Sequence, residues 1–201
     1  MAAAGVLERD GARDCSAVLI ASTLLVTAAH CVAGKVLAGA GGENRIRFHT
    51  GAYPGHRSEM REATEIMVHP LYRISSDEAK LSSDIAILRL EAPFPETVAR
   101  PIPVAEPMRL NEKLLVATWP GGGGARARER ICSPIRVSER VATLGCSVTP
   151  GESGGPVVRL TEAGPTLAGI VVARGDEGRQ PLALVVQAGR QIAQIKALFQ
   201  L

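Results

Sequence analysis

Three short segments bring together residue types that could carry out acyl transfer. Ser153 stands in Pro150-Gly-Glu-Ser-Gly-Gly-Pro156, His30 in Leu25-Val-Thr-Ala-Ala-His-Cys31, and Asp84 in Ser83-Asp-Ile-Ala-Ile-Leu-Arg-Leu90. A serine hydroxyl is a poor nucleophile at neutral pH, so it needs a base within hydrogen-bond reach and a third group to orient that base. Histidine, with an ordinary pKa of about 6.5, can take the proton and return it to a leaving amine. A carboxylate on its other ring nitrogen fixes the tautomer and stabilises the imidazolium, the role open to Asp84. The glycines about Ser153 suit a turn tight enough to aim backbone amides at one point. Gly151 and Ser153 are then the donors for a developing oxyanion, where losing one donor costs about 3–4 kcal/mol of barrier.

Each segment alone has a plain structural reading: a Gly-rich turn, a Ser-Asp cap before a strand, a satisfied core histidine. Their conjunction in one order on a strand-rich chain favours the triad. His49, His56 and His69 have no such company and are read as structural.

The elements that must position these residues are short strands. Apolar runs broken by Gly, Pro, Asn, Asp and Ser recur throughout, giving twelve candidates, among them Ala3–Glu8, Ser16–Ala21, Leu24–Ala28, Ile85–Leu90, Arg130–Val137 and Pro156–Leu160. Twelve strands exceed one simple sheet, and an all-β barrel or sandwich is expected. Hydrophobic residues make up 46% of the 201 and aromatic ones 3%, so the core is aliphatic and nucleic-acid stacking surfaces are not expected. The stretch Glu91–Pro107 carries five prolines, each lacking a donor, and reads as a crossing between two β units, 1–107 and 108–201. Only the last segment reads as helical: Gly189–Leu201 places Ile192, Ile195, Leu198 and Phe199 at helical spacing on one face.

The formal net charge is +3, with 11 basic and 12 acidic residues in 1–100 against 12 and 8 in 101–201. The excess gathers at Arg126, Arg128, Arg130, Arg136 and Arg140, read as a solvated surface run without a function. The run Gly121–Gly124 lacks the ending of a phosphate-cradling loop. No apolar stretch is long enough to span a membrane, and no signal peptide is visible at the start. Cys15, Cys31, Cys132 and Cys146 allow three full pairings and fall as two local pairs. Closing loops of this size would stabilise by about 3 kcal/mol, and would imply an oxidising compartment, secreted or periplasmic. His30 adjoins Cys31, but no Cys-x-x-Cys or His-x-x-x-His spacing accompanies them, so neither a metal nor another cofactor is expected.

In the order His, Asp, Ser, these segments resemble the chymotrypsin/trypsin-like serine protease family, of a bacterial type. Thr27-Ala-Ala-His-Cys31, Asp84-Ile-Ala86 and Gly151-Glu-Ser-Gly-Gly-Pro156 carry the likeness, with His69-Pro-Leu-Tyr72 beside them, and together they span residues 15 to 172. The resemblance implies two six-stranded antiparallel β-barrels with the triad His30, Asp84 and Ser153 between them, a C-terminal helix, and a Cys15–Cys31 bridge beside the histidine. It also implies a Cys132–Cys146 bridge near the entrance to the specificity pocket.

Against the family pattern, Glu152 replaces the acid that pairs with a processed N-terminus, and only fourteen residues precede Cys15, which shortens the usual first strand. Ser147 occupies the position that sets primary specificity, where members cutting after Lys or Arg carry Asp. Val172, Ala173 and Arg174 replace Ser-Trp-Gly on the pocket wall, so Arg174 either narrows the pocket or pairs with an acidic side chain. Val172 removes a serine that supports the carboxylate. The expected activity is a cofactor-free endopeptidase acting on a protein or peptide substrate, not selective for Lys or Arg. A latent or inactive protease-fold binding protein and an esterase-like hydrolase are the alternatives.

Overall fold

The computed structural model describes residues 2–33, 45–51, 58–120, 127–178 and 180–201. Strands β1 (Ala4–Arg9), β2 (Ala12–Ala21), β3 (Leu24–Thr27), β4 (Ile46–Thr50), β5 (Met60–Val68) and β6 (Ala86–Leu90) close an antiparallel barrel in the order β1-β2-β3-β6-β5-β4. β3 and β6 are buried on both faces, with the neighbouring Leu25 and Val26 and the neighbouring Ile87 and Leu88 all fully buried, as are Phe48 and Met67. Branched aliphatics suit this pleated, two-sided burial. β1 is six residues long and pairs on both sides, with β2 from Ala4 to Arg9 and with β4 from Gly5 to Arg9.

The second unit contains β7 (Leu114–Thr118), β8 (Arg128–Cys132), β9 (Pro134–Val137), β10 (Val141–Leu144), β11 (Pro156–Thr161), β12 (Gly164–Glu177) and β13 (Gln180–Gln187). They form one sheet in the order β8-β7-β11-β12-β13-β10-β9. Its two edge strands are separated in the chain by Ser133 alone, so the sheet curls until a single residue joins its ends. The expected strand Arg130–Val137 is thus one strand bent at Ser133, beside a proline that cannot donate to a ladder. Counted once, it makes the second sheet six-stranded.

The proline-rich crossing is stitched to both units without a ladder of its own. Ile102 donates to Leu19 O, Leu167 to Pro103 O and Ala105 to Leu167 O, each within 2.9 Å. Two short helices, α1 (Pro70–Ile74) and α2 (Asp77–Leu81), correct the expectation that only the C-terminus is helical. At five residues each they are too short to leave a periodic signal, and α1 is started by Pro70 and by the His69 ring, which accepts from Leu71 N.

Helix α3 (Ala188–Phe199) ends at Gln200 in the left-handed conformation. Its buried residues are Ala188, Gln191, Ile192 and Ile195, while Leu198 and Phe199, expected on the packed face, are exposed. Ile192 and Ile195 join the same apolar cluster as Ile85, Leu88 and Val186, so α3 packs across both units, against β5 and β6 of the first and β12 and β13 of the second. Among the described residues no helix is long and apolar enough to cross a membrane.

Candidate active site

His30 lies in a single 3-10 turn, Ala29–Cys31, directly after β3, and Asp84 in the turn that enters β6. Because β3 and β6 are ladder partners, Thr27 opposite Ala86, their ends deliver the two side chains to one place. The backbone N–H of His30 donates to Asp84 Oδ1 at 2.8 Å, and Nδ1 lies 2.7 Å from Oδ2. That second contact makes Nδ1 the protonated nitrogen facing the carboxylate and leaves Nε2 with a free lone pair. Asp84 is 6% exposed and His30 is open to solvent.

The Cys15–Cys31 disulfide ties β2 to the residue after His30, and Cys132–Cys146 ties β8 to the loop after β10. The sulfurs of Cys15 and Cys31 lie near the His30 ring, but a disulfide offers no thiolate to a metal. Ser16, next to Cys15, reaches the nucleophile turn directly: its N–H donates to Ser153 O at 2.7 Å, its carbonyl accepts from Thr27 Oγ1, and its hydroxyl accepts from Trp119 N. Ser153 is thereby brought against the strands that carry His30. No hydrogen bond joins its half-buried hydroxyl to another described residue, an arrangement common before substrate arrives.

The turn itself is built by Pro150 and glycine. Glu152 N donates to Thr149 O, with Gly151 at φ 90°, a conformation that favours glycine. At Gly154, φ 80°, a Cβ would lie 2.0 Å from Ser16 O and 2.3 Å from Thr27 Oγ1, so no side chain fits. The amides of Glu152, Gly154 and Gly155 are used internally, going to Thr149 O, Val171 O and Glu152 O. Those of Gly151 and Ser153 donate to no described residue. Alternate amides are therefore spent on the fold and left over.

Glu152 is fully buried. Oε1 accepts from the Thr118 hydroxyl and, at 2.9 Å, from Arg130 Nη1; Oε2 accepts from the backbone and hydroxyl of Thr149. Burial pushes this carboxyl up, but the Thr118 hydroxyl, the Arg130 guanidinium and the Thr149 amide together outweigh it and hold it below its ordinary 4.5. Arg130, read from sequence as part of a solvated basic run, is instead a mostly buried counterion. Its neighbours in that run differ: Arg136 pairs with Glu177 at the surface, Arg128 is exposed, and Arg126 lies outside the described residues. No one-dimensional signal could have singled out Arg130, because its partner is 22 residues away across the sheet.

The expected pocket residues lie on two segments, the loop after β10 and strand β12. Ser147 is exposed beside Cys146, Val172 is 4% exposed at an irregularity of the β12–β13 ladder, and Arg174 is exposed with no ion pair among the described residues. No described donor other than His30 reaches the Asp84 carboxylate. Of the histidines read as structural, His69 caps α1 and His49 pairs with Glu8, while His56 lies outside the described residues.

Comparison with known proteins supplies the family. The trypsin family model matches residues 3–188. Transmembrane protease serine 7 of Rattus norvegicus is 27% identical over 175 residues, covering 84% of this chain and 20% of its own length. Vitellin-degrading protease of Bombyx mori is 28% identical over 193 residues, covering 80% of this chain and 66% of its own length. The chain thus spans about a fifth of the first of these relatives and 66% of the second. With nearly its whole length matched by that model, the chain belongs to the trypsin family.

Proposed function

We propose that the chain is a serine endopeptidase in which Ser153 is the nucleophile, His30 the base, Asp84 its orienting carboxylate, and Gly151 and Ser153 the oxyanion donors. The observation that carries this reading is the pair of unspent amides in a turn whose other amides are all engaged, beside a histidine already locked to its carboxylate. Ser153 Oγ attacks the scissile carbonyl carbon as its proton passes to His30 Nε2, and the carbonyl oxygen takes up negative charge toward the two amides. The tetrahedral adduct collapses, the C–N bond breaks, and the amine leaves with the proton from Nε2. Water then attacks the acyl-enzyme, giving its proton to His30, and Ser153 is released.

Glu152 already has a cation inside the fold. Arg130 supplies the charge that would otherwise have to come from a processed terminus, which supports an oxyanion turn that is ready without cleavage. Ser147 offers no negative charge to a Lys or Arg side chain, and Arg174 on β12 is an exposed cation with no ion pair among the described residues, whose charge favours acidic side chains and whose bulk favours small ones. The two disulfides fit a secreted or periplasmic location and a protein or peptide substrate met there.

A fluorophosphonate probe tests the triad and a peptide library its specificity. Labelling confined to Ser153 and abolished in Ser153→Ala is expected, with cleavage after acidic or small residues. An unlabelled wild type would overturn the enzyme reading, and preference for Lys or large aromatic residues the pocket reading.

A further inference from the structure

We propose that Gln191 on α3 is a positioning residue for Asp84, acting through the turn 79–84; this rests on the triad reading above. Both oxygens of the Asp84 carboxylate are engaged by His30, the group that the carboxylate has to orient. Among the described residues no third donor anchors it, so its placement must come from its backbone. That turn is held internally by Ser83 N on Lys80 O, Asp84 N on Leu81 O, and the hydroxyls of Ser82 and Ser83 on Ala79 O. These bonds set the shape of the turn but not its place in the molecule.

The turn's C-terminal end is placed by β6, which pairs with β3 and β5, and its approach to Asp84 is held from the far end of the chain. Gln191 Nε2 donates to Ser82 O at 2.8 Å, across 109 residues and two positions before Asp84. One turn further along α3, Gln194 Oε1 lies 3.0 Å from His69 Nε2, and the His69 backbone donates to Ile85 O, the residue after Asp84. The His69 ring accepts from Leu71 N through Nδ1, so Nε2 is the donor to Gln194. Helix α3 therefore grips the chain on both sides of Asp84.

Gln191 is 1% exposed, and its Oε1 is buried without a partner. An amide with an orphaned oxygen costs more to bury than an apolar side chain of the same size. Packing alone would be served better by methionine, so the single bond to Ser82 is what the amide offers. The other titratable groups about Asp84 are His30; Tyr72 of α1, whose phenol is held above its ordinary value by burial and by the Asp84 charge; and Lys80 of α2, 5.1 Å over the Tyr72 ring. His69 also lies on the adjoining segment. Among the described residues none of them is hydrogen-bonded to Gln191.

Gln191→Met keeps the length and removes both the donor and the orphaned acceptor. We expect kcat toward a peptide substrate to fall about tenfold with KM within about twofold, since small misplacements of a catalytic group cost at least this much. The acid limb of the pH–rate profile should move to lower pH, because an imidazolium facing a displaced carboxylate is less stabilised. Tm should stay within a few degrees of wild type. Gln194→Ala, at an exposed position, should shift the profile in the same direction by less, and it decides the matter if Gln191→Met does not fold. A merely structural role would lower Tm and leave the profile in place. An active wild type with Gln191→Met unchanged in kcat and acid limb would overturn this inference alone, whereas a wild type that neither hydrolyses peptides nor takes a fluorophosphonate at Ser153 would overturn the triad reading with it.

Discussion

On the first barrel, His30 and Asp84 are joined to each other by two direct hydrogen bonds and fixed by ladder partners and a disulfide. On the second sheet, Ser153 rides on a turn whose anchor is a fully buried carboxylate one residue away, neutralised by a single guanidinium nitrogen. On the proposed reading, a shape-keeping change at Asp84 costs chemistry more than stability. Removing a partner on the second side strands a charge in the interior, so stability and activity fall together.

Asp84→Asn tests the first side and should show the largest loss of rate. The substitution keeps the shape but presents the wrong hydrogen-bonding face to Nδ1, and at this constellation such a change costs about ten-thousand-fold in kcat. Thermal stability should barely move; a Tm falling with activity would erase the contrast between the two sides. Arg130→Met tests the second and should lose about 3–5 kcal/mol of stability by denaturant unfolding together with kcat, because Glu152 is left buried and unpaired. Arg130→Met with Glu152→Gln should recover part of both, since no net charge then remains inside. A double variant no better than the single would show that the pair acts as shape rather than as charge.

The smallest effect is in the pH dependence of stability. His49 is held below its ordinary 6.5 by burial and by the Arg13 charge, against the pull of Glu8. The unfolded chain therefore takes up that proton first, and stability should begin to fall as pH drops below about 6.5. Glu8, Glu112 and Glu152 are held below their ordinary 4.5, so what they contribute is complete above that pH and is lost beneath it as pH falls through their folded-state values. His49→Gln should remove the upper stage of a Tm-against-pH curve and leave the lower. A curve flat from pH 7 to 5 in the wild type would count against it.

What sequence could show was what is local. The glycines at 151 and 154, the Pro150 turn and the strand runs each carry their own signal, because backbone conformation at these positions depends on the residue itself. Pro134 even marked the place where β8 and β9 bend apart, although the apolar pattern ran through it as one strand. The two five-residue helices α1 and α2 left no period to detect. Arg130 and Gln191 were invisible for a different reason. A buried arginine in a basic run and a glutamine on a helix gain their roles only from partners brought in by tertiary folding. Leu198 and Phe199 had the right spacing, but the packed face of α3 ends a turn before them.

The bend at Ser133 also bears on how the molecule behaves among copies of itself. Because one strand supplies both ends of the second sheet, the unpaired edges are only five and four residues long. One carries the exposed Arg128 and Glu129, the other opens with Pro134 and carries Arg136. Short, charged and proline-bearing edges give an incoming strand few backbone groups to zip onto. For a strand-rich protein with Ile131 and Ile135 open to solvent at that edge, the bend is a safeguard against sheet-to-sheet aggregation.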